Sequence, residues 1–127
     1  MSVLFKSAAK KNPRDISAPL KYYATAIQKD VTNTDKLCEL ISASSTVSRS
    51  DVYSVVIELL EKINYELSEG RTVRLDKLGK FSLSIQSEGV DAPEDLTSNQ
   101  IRNAKINFLP DKEMKDMLKT LKFEKKN

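Results

Sequence analysis

From Val52 to Leu67, apolar residues recur at steps of three and four: Val52, Val55, Val56, Leu59, Leu60, Ile63 and Leu67. That spacing lines one face of an α-helix, and Gly70 ends it, because glycine adopts the left-handed conformation that closes a helix. The helix start is marked by Ser48-Arg49-Ser50-Asp51, a serine with an acid three residues on, the form of a capping box with Asp in place of Glu. A shorter helix precedes it, capped by Asn33 or Thr34 and expected to bury Leu37, Leu40 and Ile41, with Cys38 beside them. Ser44-Ser45-Thr46-Val47 breaks the pattern between the two. The apolar stripe of the longer helix is wide for a small domain, and a partner subunit would cover it better than the short helix alone.

After Gly70 the period changes from 3.6 to two. Val73 to Leu75 reads as a short strand, Asp76 to Gly79 as a turn, and Phe81, Leu83 and Ile85 alternate with Ser82, Ser84 and Gln86 as a half-buried strand. Ala104, Ile106 and Phe108 alternate with Lys105 and Asn107 in the same way. The segment from Ser87 to Asn103 is polar and acidic, and it predicts either an extended arm on a hairpin or a flexible loop. Asp111 is suited to cap a closing helix whose apolar face is Met114, Met117, Leu118 and Leu121. Near the N-terminus, residues 3–10 and 20–28 have strand character, and Pro13 and Pro19 exclude a regular element between them. This extension lies along an edge of the main sheet or remains a partly ordered basic arm; the pattern allows both.

Composition narrows the chemistry. A chain of 127 residues fits one compact domain plus an extension. It has no histidine, which removes the commonest general base and metal ligand, and its lone cysteine cannot form an intramolecular disulfide. Neither a nucleophile motif nor a phosphate-cradling glycine loop is present, so no enzyme and no cofactor are expected. Asp91, Glu94 and Asp95 lack calcium-loop spacing. No membrane-length apolar run and no secretory signal pattern are visible, so the expected location is cytoplasmic.

The net charge is only +3, but it is segregated. Lys6, Lys10, Lys11, Arg14, Lys21 and Lys29 face Asp15 alone in residues 1–29; residues 30–70 are acidic; Arg71, Arg74, Lys77 and Lys80 cluster around the turn. Lysines also dominate the last residues, from Lys112 to Lys126. Such segregation makes a local field to which a phosphate backbone responds, although uneven surface charge alone has the same appearance.

Four fragments, in order, carry a resemblance. Val47-Ser48-Arg49 looks like the junction of the first two helices of the bacterial histone-like proteins, the HU and integration-host-factor family. Glu69-Gly70-Arg71-Thr72-Val73-Arg74-Leu75 is similar to that family's second helix end and first strand. Leu78-Gly79-Lys80-Phe81 resembles its Gly-Phe-Gly-x-Phe turn, with Leu78 for the first phenylalanine. Ile106-Asn107-Phe108-Leu109-Pro110-Asp111-Lys112 resembles its signature before the last helix, with Asp111 for the usual glycine.

The resemblance implies an α+β, histone-like (HU-like) fold: two N-terminal helices, a three-stranded antiparallel sheet with an arm, and a C-terminal helix, assembled as an intertwined homodimer. It covers residues 33–121, leaving 1–32 as an N-terminal extension, similar to that of a longer bacterial subgroup, and 122–127 as a basic tail. It further implies an architectural, largely sequence-independent protein of the nucleoid that grips double-stranded DNA by its phosphates, with no small-molecule substrate. The residues expected to do so are Arg74, Lys80, Arg102, Lys105, Lys112 and Lys115. The family's arms carry minor-groove arginines and a wedging proline, whereas residues 86–100 here hold Glu88, Asp91, Glu94 and Asp95 and no cation. Those carboxylates argue against a minor-groove clamp and favour an alternative, a protein-interaction module on the same fold with the acidic arm as its recognition element.

Overall fold

The change of hydrophobic period at Gly70 is reproduced in the backbone. The computed structural model of the chain describes residues 2–126. Met1 and Asn127, the outer ends of the expected extension and tail, lie outside the described residues. The chain divides into two units, one made by Asn33–Asp116 and the other by the residues up to Thr32 together with those from Met117 onward.

In the first of these, α1 (Thr34–Ala43) begins at Asn33, whose side-chain oxygen accepts the Lys36 N–H at 2.9 Å. Helix α2 (Arg49–Ser68) begins at Ser48, whose hydroxyl accepts the Asp51 N–H at 3.2 Å. Gly70, at φ +80°, ends it: the Gly70 N–H bonds the Leu67 carbonyl and the Arg71 N–H the Glu66 carbonyl. Three antiparallel strands follow, β3 (Val73–Leu75), β4 (Gly79–Ser87) and β5 (Ile101–Pro110), with β4 in the centre. The expected arm resolves into a short loop of two 3₁₀ turns, Pro93–Asp95 and Ser98–Gln100, the second held by a capping box between Thr97 and Gln100. The Glu88 N–H bonds the Gln100 carbonyl at 2.9 Å and closes the loop at its base. Helix α3 (Lys112–Leu118) follows β5.

The other unit is a sheet of its own. Strand β1 (Val3–Lys10) pairs antiparallel with β2 (Lys21–Ala26) and parallel with β6 (Phe123–Lys125), giving the order β2-β1-β6. Two expectations change here. The extension does not join the main sheet, because the free edge of β1 is taken by β6. The supposed basic tail is likewise partly a strand, with Phe123 beside Val3 and Lys125 beside Phe5. The closing helix also stops short of Leu121: the Thr120 N–H and hydroxyl both bond the Met117 carbonyl, at 3.0 and 2.7 Å, and turn the chain out. Among the described residues, no helix is long and apolar enough to cross a membrane.

The core of the single chain is small. Cys38, Val52 and Leu67 are its buried apolar residues, and Cys38 takes the packing role expected of it. Leu37, Leu40 and Ile41 of α1, expected inside, stand about half exposed, and Val55 of α2 is 67% exposed. The stripe is too wide for α1 to cover, so Val55, Leu59 and Leu60 stay open.

Two glycines separate backbone from packing effects. A Cβ at Gly79 would lie 2.4 Å from the Leu109 carbonyl oxygen and 2.8 Å from the Phe108 ring, whereas one at Gly70 meets nothing within 4 Å. Gly70→Ala is therefore expected to cost about 1 kcal/mol of backbone strain, and Gly79→Ala about 3 kcal/mol, because the β4–β5 pair must spread. Denaturant unfolding of the full chain, followed by circular dichroism, ranks them; equal costs would disprove the packing argument.

Candidate nucleic-acid interface

Strand pairing sorts the side chains of β3, β4 and β5 onto two faces. Residues directly opposite one another share a face, and successive residues alternate. The partners Val73, Phe81 and Phe108 are in register, and so are Leu83 with Ile106 and Ile85 with Ala104. These make an apolar face on which the Phe81 and Phe108 rings lie 4.8 Å apart at 42°. Alternation with the neighbouring Lys80 and Lys105 puts Phe81 and Ile106 on the side expected to be buried. Phe81 is half-buried, but Ile106 is 62% exposed and Ile85 63%, because nothing in the single chain covers that end of the sheet.

The other face is polar. Arg74 on β3 is opposite Lys80 on β4, and Lys105 on β5 is opposite Ser84. Ser82 with Asn107, and Gln86 with Asn103, complete it, together with Leu109 beside Lys80. Among the described residues of the three strands, none on this face is acidic. Lys80 and Lys105 thus point away from the phenylalanines as the alternation predicted, and Arg74 joins them.

Asp111 fixes the end of this face nearest α3. Its backbone N–H bonds the Leu78 carbonyl at 3.0 Å, which ties the β3–β4 turn to the start of the helix. Its carboxylate accepts the Lys112 N–H at 2.9 Å and pairs with the Arg74 guanidinium at 3.4 Å. Arg74 also reaches Asp76 at 3.9 Å, but both side chains of that pair are largely exposed and the interaction is weak. The Lys112 N–H bond, then Arg74 and the Lys77 N–H, hold the Asp111 carboxyl below the usual carboxylate range against a smaller opposing effect of desolvation. Lys77 itself adopts φ +75°, the left-handed conformation that lets the tight turn close.

The remaining expected residues lie elsewhere. Arg102 occupies the β-bulge, since Gln86 pairs with Asn103 and Ser87 with Ile101, leaving Arg102 without a cross-strand partner. Its guanidinium forms an ion pair with Glu88, so the cation nearest the acidic loop is already neutralised. Lys112 and Lys115 are exposed on α3, and the Asp111 carboxylate occupies the Lys112 N–H that a phosphate would otherwise use. The Asp111–Arg74 pair joins residues far apart in the chain, and the sequence signals it only by an acid where the resembling family has glycine. Among the described residues, no group of His, Cys, Asp or Glu is arranged to hold a metal ion.

Two helices leading into a three-stranded antiparallel sheet, and a short helix after it, define an α+β domain of the HU type. The chain belongs to the HU-HIG family, described as an HU domain fused to a wHTH, Ig or glycine-rich motif, and the match spans residues 1–125. Among solved structures it is similar to a mutant HU from Thermotoga maritima (17% identity, TM-score 0.51), covering 68% of this chain and 99% of that one. It is similar too to the HU of an Anabaena HU–DNA cocrystal (18% identity, TM-score 0.55), covering 70% and 99%. A provisionally assigned bacterial DNA-binding protein from Bacteroides vulgatus matches 98% of this chain at 13% identity and TM-score 0.65, and the chain spans 49% of its length. At these identities the likeness is one of fold. No curated protein matches the chain.

The Asp111 node has a pH signature. A carboxyl whose pKa is lower folded than unfolded adds stability that is complete above the unfolded value, about 4, and is lost as pH falls through the folded value. Asp111→Asn should therefore destabilise the protein by a constant amount from neutral pH down to about pH 5, with the difference closing in stronger acid. NMR titration of the Asp111 carboxyl in Arg74→Gln should show its pKa raised only part of the way, since the Lys112 N–H remains. A stability difference that persists undiminished at the acid end would show that the carboxylate is not its source.

Proposed function

We propose that the protein is an architectural, largely sequence-independent DNA-binding protein of the nucleoid, acting as an intertwined homodimer and gripping the duplex by its phosphates. The observation that carries this reading is the polar sheet face, with Lys80 and Lys105, and Arg74 tied to Asp111 at its edge, on a floor of serine and amide side chains and no carboxylate among its described strand residues. Amides and hydroxyls donate to phosphate oxygens as readily as to water, and the cations release condensed counterions on binding. Lys112 and Lys115 extend the cationic surface along α3, while Arg102 is held back by Glu88.

Support for pairing comes from the reverse of the same sheet. Ile85, Ile106 and Phe108, with Val55, Leu59 and Leu60 of α2, leave a large apolar area open in the single chain. Large apolar side chains left open in such number mark a surface suited to a partner. A second copy has the matching surface by definition, and the likeness to HU structures is consistent with that assembly.

The acidic loop does not act as a clamp in this reading. Glu88, Asp91, Glu94 and Asp95 repel phosphates, and the 3₁₀ turns draw the segment into a short loop. The same acids would instead serve the alternative role, recognition of a protein partner.

Fluorescence anisotropy with random-sequence duplex at several salt concentrations tests the main reading. The log–log slope should fall by about 0.9 for each phosphate that a variant ceases to neutralise, so Lys80→Gln with Lys105→Gln should flatten it and weaken binding alike on all sequences. Wild-type protein that fails to bind at low salt would refute the proposal. Replacing Asp91, Glu94 and Asp95 by Asn, Gln and Asn should leave affinity unchanged or raise it; weaker binding would mean the loop contacts DNA after all. Sedimentation of the free protein should give twice the 14.3 kDa chain mass, and a monomer at micromolar concentration would remove the pairing.

A further inference from the structure

The hairpin of β1 and β2, with its connecting loop, holds a group of cations that the sheet face leaves unexplained: Lys6, Lys10, Lys11, Arg14 and Lys21. Its register sets Lys10 opposite Lys21, Ala8 opposite Tyr23 and Lys6 opposite Thr25, so Lys6, Lys10, Lys21 and Tyr23 share one face. Lys10 Nζ lies 5.5 Å from the centre of the Tyr23 ring, which holds the long side chain against the ribbon. Beyond the last strand pair the connecting loop folds around a recess of about 430 Å³ lined by Lys10, Lys11, Lys21, Tyr23 and both prolines, Pro13 and Pro19.

The recess is held in shape. The Arg14 N–H bonds the Asn12 side chain at 2.9 Å, and the Ser17 hydroxyl and N–H bond the Asp15 carboxylate at 2.6 and 3.1 Å. The prolines restrict the unfolded loop further. Asp15 is the lone acid of residues 1–29; it is exposed, and its carboxylate accepts both bonds from Ser17 of its own loop. Among the described residues, Lys6, Lys10, Lys11, Arg14 and Lys21 have no ion-pair partner. A preorganised cluster of unpaired cations holds an anion at low entropic cost.

We propose that this hairpin is a second nucleic-acid contact, in which Lys6, Lys10, Lys11 and Lys21 bind the sugar–phosphate backbone separately from the Arg74, Lys80 and Lys105 face. Three features select a nucleic-acid strand among anions. Lys6 and Lys10 are four strand residues apart, roughly 13 Å, so the cations form a line suited to successive phosphates, not a point suited to one free phosphate. Tyr23 stays 48% exposed between them and offers a flat apolar surface to a sugar or base. A membrane surface would call for an apolar cluster at the tip, whereas the loop's exposed large apolar residues, Ile16 and Leu20, are separated by Ser17, Ala18 and Pro19. Two grips per chain would neutralise more phosphates than the sheet face alone.

The test uses the full chain and random-sequence duplex, with anisotropy measured across salt for three double variants. Lys10→Gln with Lys21→Gln alters the hairpin, Lys80→Gln with Lys105→Gln alters the sheet, and Lys36→Gln with Lys62→Gln removes equal charge from the helices as a control. The hairpin pair should lower the salt slope by about 1.8, two phosphates at about 0.9 each, while the control pair stays within error of wild type. A hairpin pair indistinguishable from the control overturns the inference, and if the sheet pair still lowers the slope, the function proposed above survives it. A lower slope in the hairpin pair with none in the sheet pair supports the hairpin contact and overturns the sheet face instead. Two further outcomes would also overturn the inference: hairpin-dependent binding to phosphatidylserine vesicles with DNA affinity unchanged, or Tyr23 NMR shifts produced by inorganic phosphate but not by duplex.

Discussion

The three-stranded sheet of residues 73–110 depends on one constraint, the register in which β4 meets its neighbours. Side chains alternate with a period of two, so a slip of one residue would carry Arg74 and Lys80 among the phenylalanines and expose the phenylalanines to solvent. Three local features hold that register. Gly79 lets the Leu109 carbonyl approach closer than any side chain would allow; Phe81 and Phe108 stack across the strands; and the bulge at Arg102 absorbs the extra residue where the sheet ends. A cationic floor and an apolar underside are therefore two readings of a single alignment, and neither can be altered without the other.

That underside explains why so small a core suffices. Burying apolar surface is worth roughly 25 cal/mol per Å², and a single chain that encloses Cys38, Val52 and Leu67 leaves most of that gain unrealised. The half-exposed side chains of α1 and α2 are not defects of packing. They have the chemistry of a core whose other half is missing, and the proposed pairing would supply it.

Much of this was legible from the amino acids. The α2 stripe, the caps at Asn33 and Ser48, the stop at Gly70 and the alternation at Phe81, Leu83 and Ile85 are local signals, and each element formed where its signal stood. What escaped was set by partners distant in the chain. Phe123 to Lys125 is too short a run to announce a strand, and only the edge of β1, at the opposite end of the chain, makes it one. The same holds for burial: periodicity showed which face of α1 is apolar, but not that α2 alone fails to cover it. In the cationic face, alternation oriented Lys80 and Lys105 correctly, whereas the pairing of Arg102 with Glu88 and of Arg74 with Asp111 required the bulge and the turn to be in place.

The parallel pairing of β1 with β6 has a consequence for synthesis. During synthesis Val3 to Phe5 are made well before Phe123 to Lys125, the strand that occupies their outer edge. Until Phe123 appears, that edge carries open hydrogen-bonding groups beside apolar side chains, a template for joining to a neighbouring nascent copy. The residues from Asn33 to Asp116 can meanwhile fold behind it, since their own pairings are complete much earlier. Translation thus imposes a delay in which β1 waits for β6, and products truncated before Phe123 would be prone to stick to one another.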